Sequence, residues 1–136
     1  MDKLTQFLPQ EDGYLPKWLF FISVVSMFNS VQTYLGPQSS KQVYAGAPEQ
    51  VTGSSARTFG TWTMITSIVR LFGSYYIRNE PVYKLTIATF WVAFGHFQLE
   101  WLVYKTARFG KGSAGPFIVS TASLVWMYKS WDYYLN

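Results

Sequence analysis

Four stretches of this chain, each about 20 residues long, carry almost no charge, and the charged residues gather between them. They run over roughly 15–35, 56–77, 82–104 and 116–134. A helix of that length crosses a hydrocarbon core of ~30 Å. A membrane-barrel strand needs only ~10 residues and alternates in polarity, whereas these stretches are twice as long and do not alternate. A soluble four-helix bundle needs a charged outer face on every helix; the first and fourth stretches offer none. The pattern predicts an all-α membrane protein, with four transmembrane helices in a small bundle. The 136 residues form a single tetraspan domain.

Composition narrows the function classes. Charged residues are 13% of the chain, about half the share usual in a soluble protein. The net charge of +4 suits anionic headgroups, and no run of Lys and Arg tracks phosphates, so nucleic acid is not an expected partner. Without cysteine there is no disulfide, thiolate nucleophile or thiolate metal site. The leading "MDKLTQFLPQEDGYLPK" has a weak basic region followed by acids, so the first apolar stretch reads as a retained anchor rather than a signal peptide. No N-x-S/T sequon occurs, and "WDYYLN" carries no retrieval or prenylation signal.

Local signals set the helix ends. Pro16 fits a first helical turn, and Gly36-Pro37 ends the first helix. Tyr14 and Trp18 are expected at headgroup level. The polar connection from Gly36 to Arg57 has room for a short surface helix in "SSKQVYA", and Ser54 or Ser55 is the expected cap of the second span. "RNEP" is a tight turn, with Asn79 capping and Pro81 in the first turn of the third span. "KTARFGKGSAG" is a basic, glycine-rich loop rather than a phosphate cradle, because no soluble strand precedes it.

The candidate functional residues are polar groups inside the spans. His96 and Glu100 lie four apart, on one helical face. Counting from the turn at ~1.5 Å per residue puts Arg70 about 12 Å deep, His96 about 21 Å and Glu100 about 27 Å, near the far interface. Glu100 is thereby expected to pair with Arg57 or to be wetted by headgroup water. His96 is expected to hydrogen-bond across the hairpin near Met64 or Thr61. One histidine and no cysteine fall short of a metal site's ligand set, so the pair reads as structural and no cofactor is expected. Arg70 has several compatible uses: snorkelling to the headgroups, a backbone carbonyl, Asn29 or Gln32 of the first span, or a residue of another subunit. Gly60, Thr61, Thr63, Thr66, Ser67, Gly73 and Ser74 permit close helix approach. Packing within the chain is their commoner use. Their density, with no obvious in-chain partner for Arg70, also leads to the expectation of a homodimer. Trp62, Trp91, Trp101 and Trp126 offer large rigid contacts to partners or lipid. Lys105, Arg108 and Lys111 form a basic loop for acidic partners or anionic lipid.

"FNSVQTYLG", "SARTFGTWTMITSIVR", "FGHFQLE" and "ARFGKGSAGPFIVSTASLVWMYK" resemble the ergosterol-biosynthesis scaffold proteins, the small tetraspan family called ergosterol biosynthetic protein twenty-eight, and its fungal members in particular. The likeness covers about Gly13 to Tyr134. It implies a non-enzymatic, multi-pass protein of the endoplasmic reticulum membrane that holds sterol C-4 demethylation enzymes together. The implied partners are a sterol C-4 methyl oxidase, a C-3 dehydrogenase/decarboxylase and a 3-ketoreductase, with contacts to the sterol C-24 methyltransferase also associated with the family. There are no catalytic residues to carry over. The family's arginines correspond to Arg57 and Arg70, and its histidine to His96. Sterol synthesis comes from the resemblance alone.

Three functions compete: a scaffold for membrane enzymes, a sterol-binding or sterol-handing protein, and an enzyme using His96 and Glu100. Co-purification, sterol photocrosslinking and activity of the isolated chain separate them. Lys and Arg counts tie across the two sides of the four spans. The compact basic loop after the third span inclines that side towards the cytosol, with both termini lumenal.

Overall fold

The computed structural model describes residue 9 and residues 13–106 and 114–135. Among the described residues six α-helices follow in order: α1 Leu15–Leu35, α2 Gln38–Val43, α3 Gly53–Tyr75, α4 Glu80–Leu102, α5 Ala114–Lys129 and α6 Trp131–Leu135, with a 3-10 turn at Pro48–Gln50. No strand occurs among the described residues. All four expected spans are helical. Pro16 and Pro81 occupy first turns, and the Asn79 side chain accepts from the Val82 amide. The cap of α3 is Thr52 rather than Ser54 or Ser55. Its hydroxyl oxygen accepts from the Ser55 amide, and the Thr52 amide donates in return to Ser55 Oγ, a reciprocal capping box. The expected short surface helix is α2. The fourth span is broken into α5 and α6 at Ser130, whose carbonyl nevertheless accepts from the Tyr134 amide.

The long helices run antiparallel. At one end Arg78, in the α3–α4 turn, lies over the rings of Tyr133 and Tyr134 at 5.7 and 5.6 Å. At the other, the Gly46 amide donates to the Thr106 carbonyl at 3.0 Å, joining the connection after α1 to that after α4. The main core lies towards the first end: Leu15, Leu19, Ile22, Ile77, Tyr83, Ile87, Phe90, Leu124, Met127 and Tyr134. A smaller cluster of Val43, Phe97 and Phe117, with Tyr44, Phe59 and Trp62 packed on it, lies towards the second. α1 packs along α3, α4 packs on α3 and α5, and α1 meets α5 only briefly. At one meeting point the Trp18 indole donates to Ser123 Oγ at 2.9 Å. Trp18 is therefore a bundle residue, while Tyr14 is exposed.

Polar groups are buried beside this apolar core, and large apolar groups are exposed. The interior buries Ser23, Ser30, Thr33, Ser67, Arg70, Ser74, Thr86, Thr89, Ser120 and Ser123. The outer faces of all four long helices carry large apolar groups, including Phe21, Phe28, Ile65, Ile68, Leu85, Val92, Ile118 and Val125. In α3 the hydroxyls turn inward chemically too. Thr58, Thr61, Thr63, Thr66, Ser67 and Ser74 each donate to a carbonyl three or four residues back.

Among the described residues, α1 is the one helix long and apolar enough to cross a membrane by its own hydropathy. The other three of the four expected spans differ for separate reasons. α3 is diluted by Gly, Ser and Thr, and α4 carries Glu80, Lys84, His96 and Glu100. α5 has 16 residues.

Candidate functional site

Two concave regions share a wall made of Ser40, Phe59 and Trp62. The smaller, about 370 Å3, lies where the connection after α1 folds over the start of α3 and the end of α4. Tyr44, from the end of α2, hydrogen-bonds His96 Nε2 at 2.7 Å. Trp62 and Phe97 meet the imidazole edge to face at 5.5 and 5.0 Å. Thr106 donates to the Glu100 carboxylate. Burial, and then the Glu100 charge, push the Tyr44 hydroxyl above its ordinary range. It therefore stays protonated at neutral pH and donates to Nε2 when His96 carries its proton on Nδ1.

Two expected pairings are corrected here. Among the described residues Glu100 takes Thr106 rather than Arg57, which is exposed and curls back over Gly53 at the start of α3. His96 takes Tyr44 rather than a group near Met64 or Thr61. The causes differ: the connection after α1 folds against the hairpin and brings Tyr44 to His96, and the chain just past α4 turns back to bring Thr106 to Glu100. Depth counting along two helices leaves out both.

The arrangement is poor in chemistry. The imidazole nitrogen that faces the cavity is engaged by Tyr44, and no cluster of three His, Asp or Glu side chains able to hold a metal occurs among the described residues.

The larger region is a groove of about 430 Å3 between α1 and α5, floored by α3 and α4. Asn29 and Gln32 are exposed and line it, as does Arg70. Arg70 is only 6% exposed. Its Nε donates to Thr89 Oγ1 at 3.1 Å, its Nη2 to the Thr89 carbonyl at 3.2 Å, and the guanidinium lies 4.1 Å over the Phe90 ring. Burying a charge away from water costs several kcal/mol unless it is paired or hydrogen-bonded. Charge-assisted hydrogen bonds contribute ~1.5–3 kcal/mol each and a desolvated cation–π contact ~2 kcal/mol, enough to hold the side chain inward. Of the expected partners, a backbone carbonyl is the one used, from α4, with the Thr89 hydroxyl beside it.

The small residues of α3 are also used within the chain. Gly60 abuts Ser30 and Thr33 of α1, and Gly73 abuts Thr86 of α4. Both observations behind an expected homodimer are thus accounted for by one copy.

Of the tryptophans, Trp62 is half-buried between the two cavities and Trp126 packs on Trp18. Trp91 is exposed and donates to the Tyr128 hydroxyl, and Trp101 is exposed beside Phe117. Lys105 is exposed with a positive φ of 57°. Arg108 and Lys111 lie outside the described residues. Tyr44, Thr89, Phe90 and Thr106 are the site residues without a signal of their own in the sequence, though Thr89 lies as far after the α3–α4 turn as Arg70 lies before it.

Residues 15–125 match the family described as Erg28 like protein. The chain is 58% identical to Ergosterol biosynthetic protein 28 of Candida albicans over 91% of this chain and 90% of that one. It is 50% identical to Ergosterol biosynthetic protein 28 of Saccharomyces cerevisiae, over 96% and 88%. Against the human Ergosterol biosynthetic protein 28 homolog, identity is 36% over 83% and 81%. The higher identities to the two yeasts agree with the fungal character of the sequence. No solved structure matches the chain. With nearly its whole length aligned to these relatives, the chain belongs to the Erg28 family.

Proposed function

We propose that this protein is a non-catalytic, multi-pass scaffold of the endoplasmic reticulum membrane that serves ergosterol biosynthesis by gathering the sterol C-4 demethylation enzymes. The pathway comes from the names its relatives bear. The observation that supports the membrane reading is where the side chains lie: serines, threonines and an arginine buried beside the apolar core, and large apolar side chains on the outer face of every long helix. Such an exterior suits lipid or partner helices around it. On this reading α1, α3, α4 and the α5–α6 pair all cross, with both connections that meet at Gly46 and Thr106 on one side.

A protein without a catalytic set still raises flux by tethering, since a held partner meets the next at effective concentrations that reach ~mM for short tethers. The proposed partners are the C-4 methyl oxidase, the C-3 dehydrogenase/decarboxylase and the 3-ketoreductase, with the C-24 methyltransferase as a further contact. Affinity isolation from membranes in mild detergent, with a census of recovered proteins, tests this. The three enzymes are expected together. Isolation of the chain alone, with an unchanged sterol profile in its absence, contradicts it.

A further inference from the structure

The groove between α1 and α5 has an uncompensated charge at its floor. Its walls are mostly apolar, with Trp18, Ile22 and Val25 on one side and Val119 on the other, and with Ser26, Asn29, Gln32 and Ser120 beside them. At about 430 Å3 it falls within the ~300–1,000 Å3 of small-molecule sites. That is room for one hydrocarbon body. Arg70 spends the Nε and Nη2 side of its guanidinium on Thr89. The end-on pair, Nη1 and the second hydrogen of Nη2, has no acceptor among the described residues. The Thr89 acceptors are neutral, and no acidic side chain among the described residues lines the groove. A nine-tenths-buried cation in an apolar cleft is complementary to an oxyanion, and the planar end-on fork matches a carboxylate bidentately.

We propose that this groove binds a lipid-phase amphipath bearing one carboxylate, with the carboxylate on Arg70 and the apolar body along α1 and α5. The inference rests on the membrane reading of the bundle and not on the scaffold role. The test uses the full chain in nanodiscs, with a photoreactive, alkyne-tagged octadecanoic acid and the matching alcohol as probes. The acid is expected to label the protein about tenfold more than the alcohol, from its charge-assisted hydrogen bonds, with crosslinks in 15–35 and 114–129. Arg70→Gln should abolish the preference for the acid. Arg70→Lys, which keeps the charge and loses the fork, should reduce it. Val25→Trp fills the groove without touching Arg70 and should remove labelling by both probes while the helix content and melting stay unchanged. That variant keeps the test decisive if Arg70→Gln does not fold. Equal labelling by acid and alcohol, a preference that survives Arg70→Gln, or crosslinks confined to the outward faces overturns the proposal. A chain that does not enter nanodiscs overturns the membrane reading, and this inference with it, while leaving partner recovery to be judged separately.

Discussion

Gly60 marks the closest approach of α1 and α3, and replacing it with alanine should loosen the bundle. A Cβ there would run into the Thr33 hydroxyl and lie 2.9 Å from the Ser30 carbonyl oxygen. The hydroxyl cannot simply swing aside, because it donates to that same carbonyl at 2.6 Å. The carbonyl belongs to helix backbone, so the two helices must separate. Overpacking of this kind costs ~1–3 kcal/mol, and losing the Thr33 bond adds ~1 kcal/mol. Alanine's better helix propensity returns ~1 kcal/mol. The net expectation for Gly60→Ala is a loss of ~1–3 kcal/mol. Gly95 is the matched control: a Cβ on it meets nothing within 4 Å, so Gly95→Ala should leave stability unchanged or raise it by up to ~1 kcal/mol. Unfolding of both variants in mixed micelles, followed by helical circular dichroism against increasing denaturing detergent, gives the comparison. If Gly60→Ala unfolds no earlier than Gly95→Ala, the close α1–α3 approach is wrong.

Other outcomes follow from the polar end of the bundle. Tyr44→Phe should cost ~1 kcal/mol through the lost bond to His96. The Tyr44 hydroxyl titrates above its ordinary value of 10.0 in the folded chain. Its contribution is therefore full below that pH and declines as the unfolded chain ionises above it, a decline that Tyr44→Phe should remove from an alkaline denaturation series. Replacing His96 and Glu100 together with Gln should leave sterol output intact wherever protein level and partner recovery are normal; a stopped pathway under those conditions would make the pair catalytic. Neutralising Lys105, Arg108 and Lys111 together should lower partner recovery and let C-4-methylated sterols accumulate, read by affinity isolation and mass spectrometry. Unchanged values with correct location would move the tether to the helix faces. Mass measurement in detergent across protein concentrations decides self-association, for which Arg70 and the α3 glycines no longer argue.

The long helices were legible because each rests on strictly local signals. Pro16, Asn79 and Pro81 sit where first turns and caps require them. The observed ends of the first three spans fall within three residues of the expected ones. What depended on tertiary contact was less legible. Depth counting along a hairpin is sound for pairs that straddle the turn. Arg70 and Thr89 lie nineteen residues apart around it, and Gly73 meets Thr86 by the same geometry. For His96 depth counting gives the level, since Trp62 meets the imidazole there, but not the hydrogen-bond partner, because a polar connection with no strong pattern folds back and supplies Tyr44; for Glu100 the partner is Thr106, just past the end of α4. Trp18 shows the same limit. Its place near a span end suggests a headgroup residue, but the facing Ser123, 105 residues away, draws the indole into the bundle.

The multi-pass reading depends on four crossing helices, although among the described residues α1 is the one that qualifies by hydropathy alone. The chain contains no cysteine, so single cysteines report without background. The direct measurement is labelling of intact microsomes by a membrane-impermeant maleimide, with cysteine placed in turn at Phe21, Ile65, Val92 and Ile118, and at Gln50 and Asn79 as exposed controls. The account predicts shielding at the four helix positions, with the two controls labelled from opposite sides of the membrane. Labelling of Ile65, Val92 and Ile118 as fast as Gln50, with Phe21 alone shielded, would mean a single anchor carrying a soluble bundle and would contradict it.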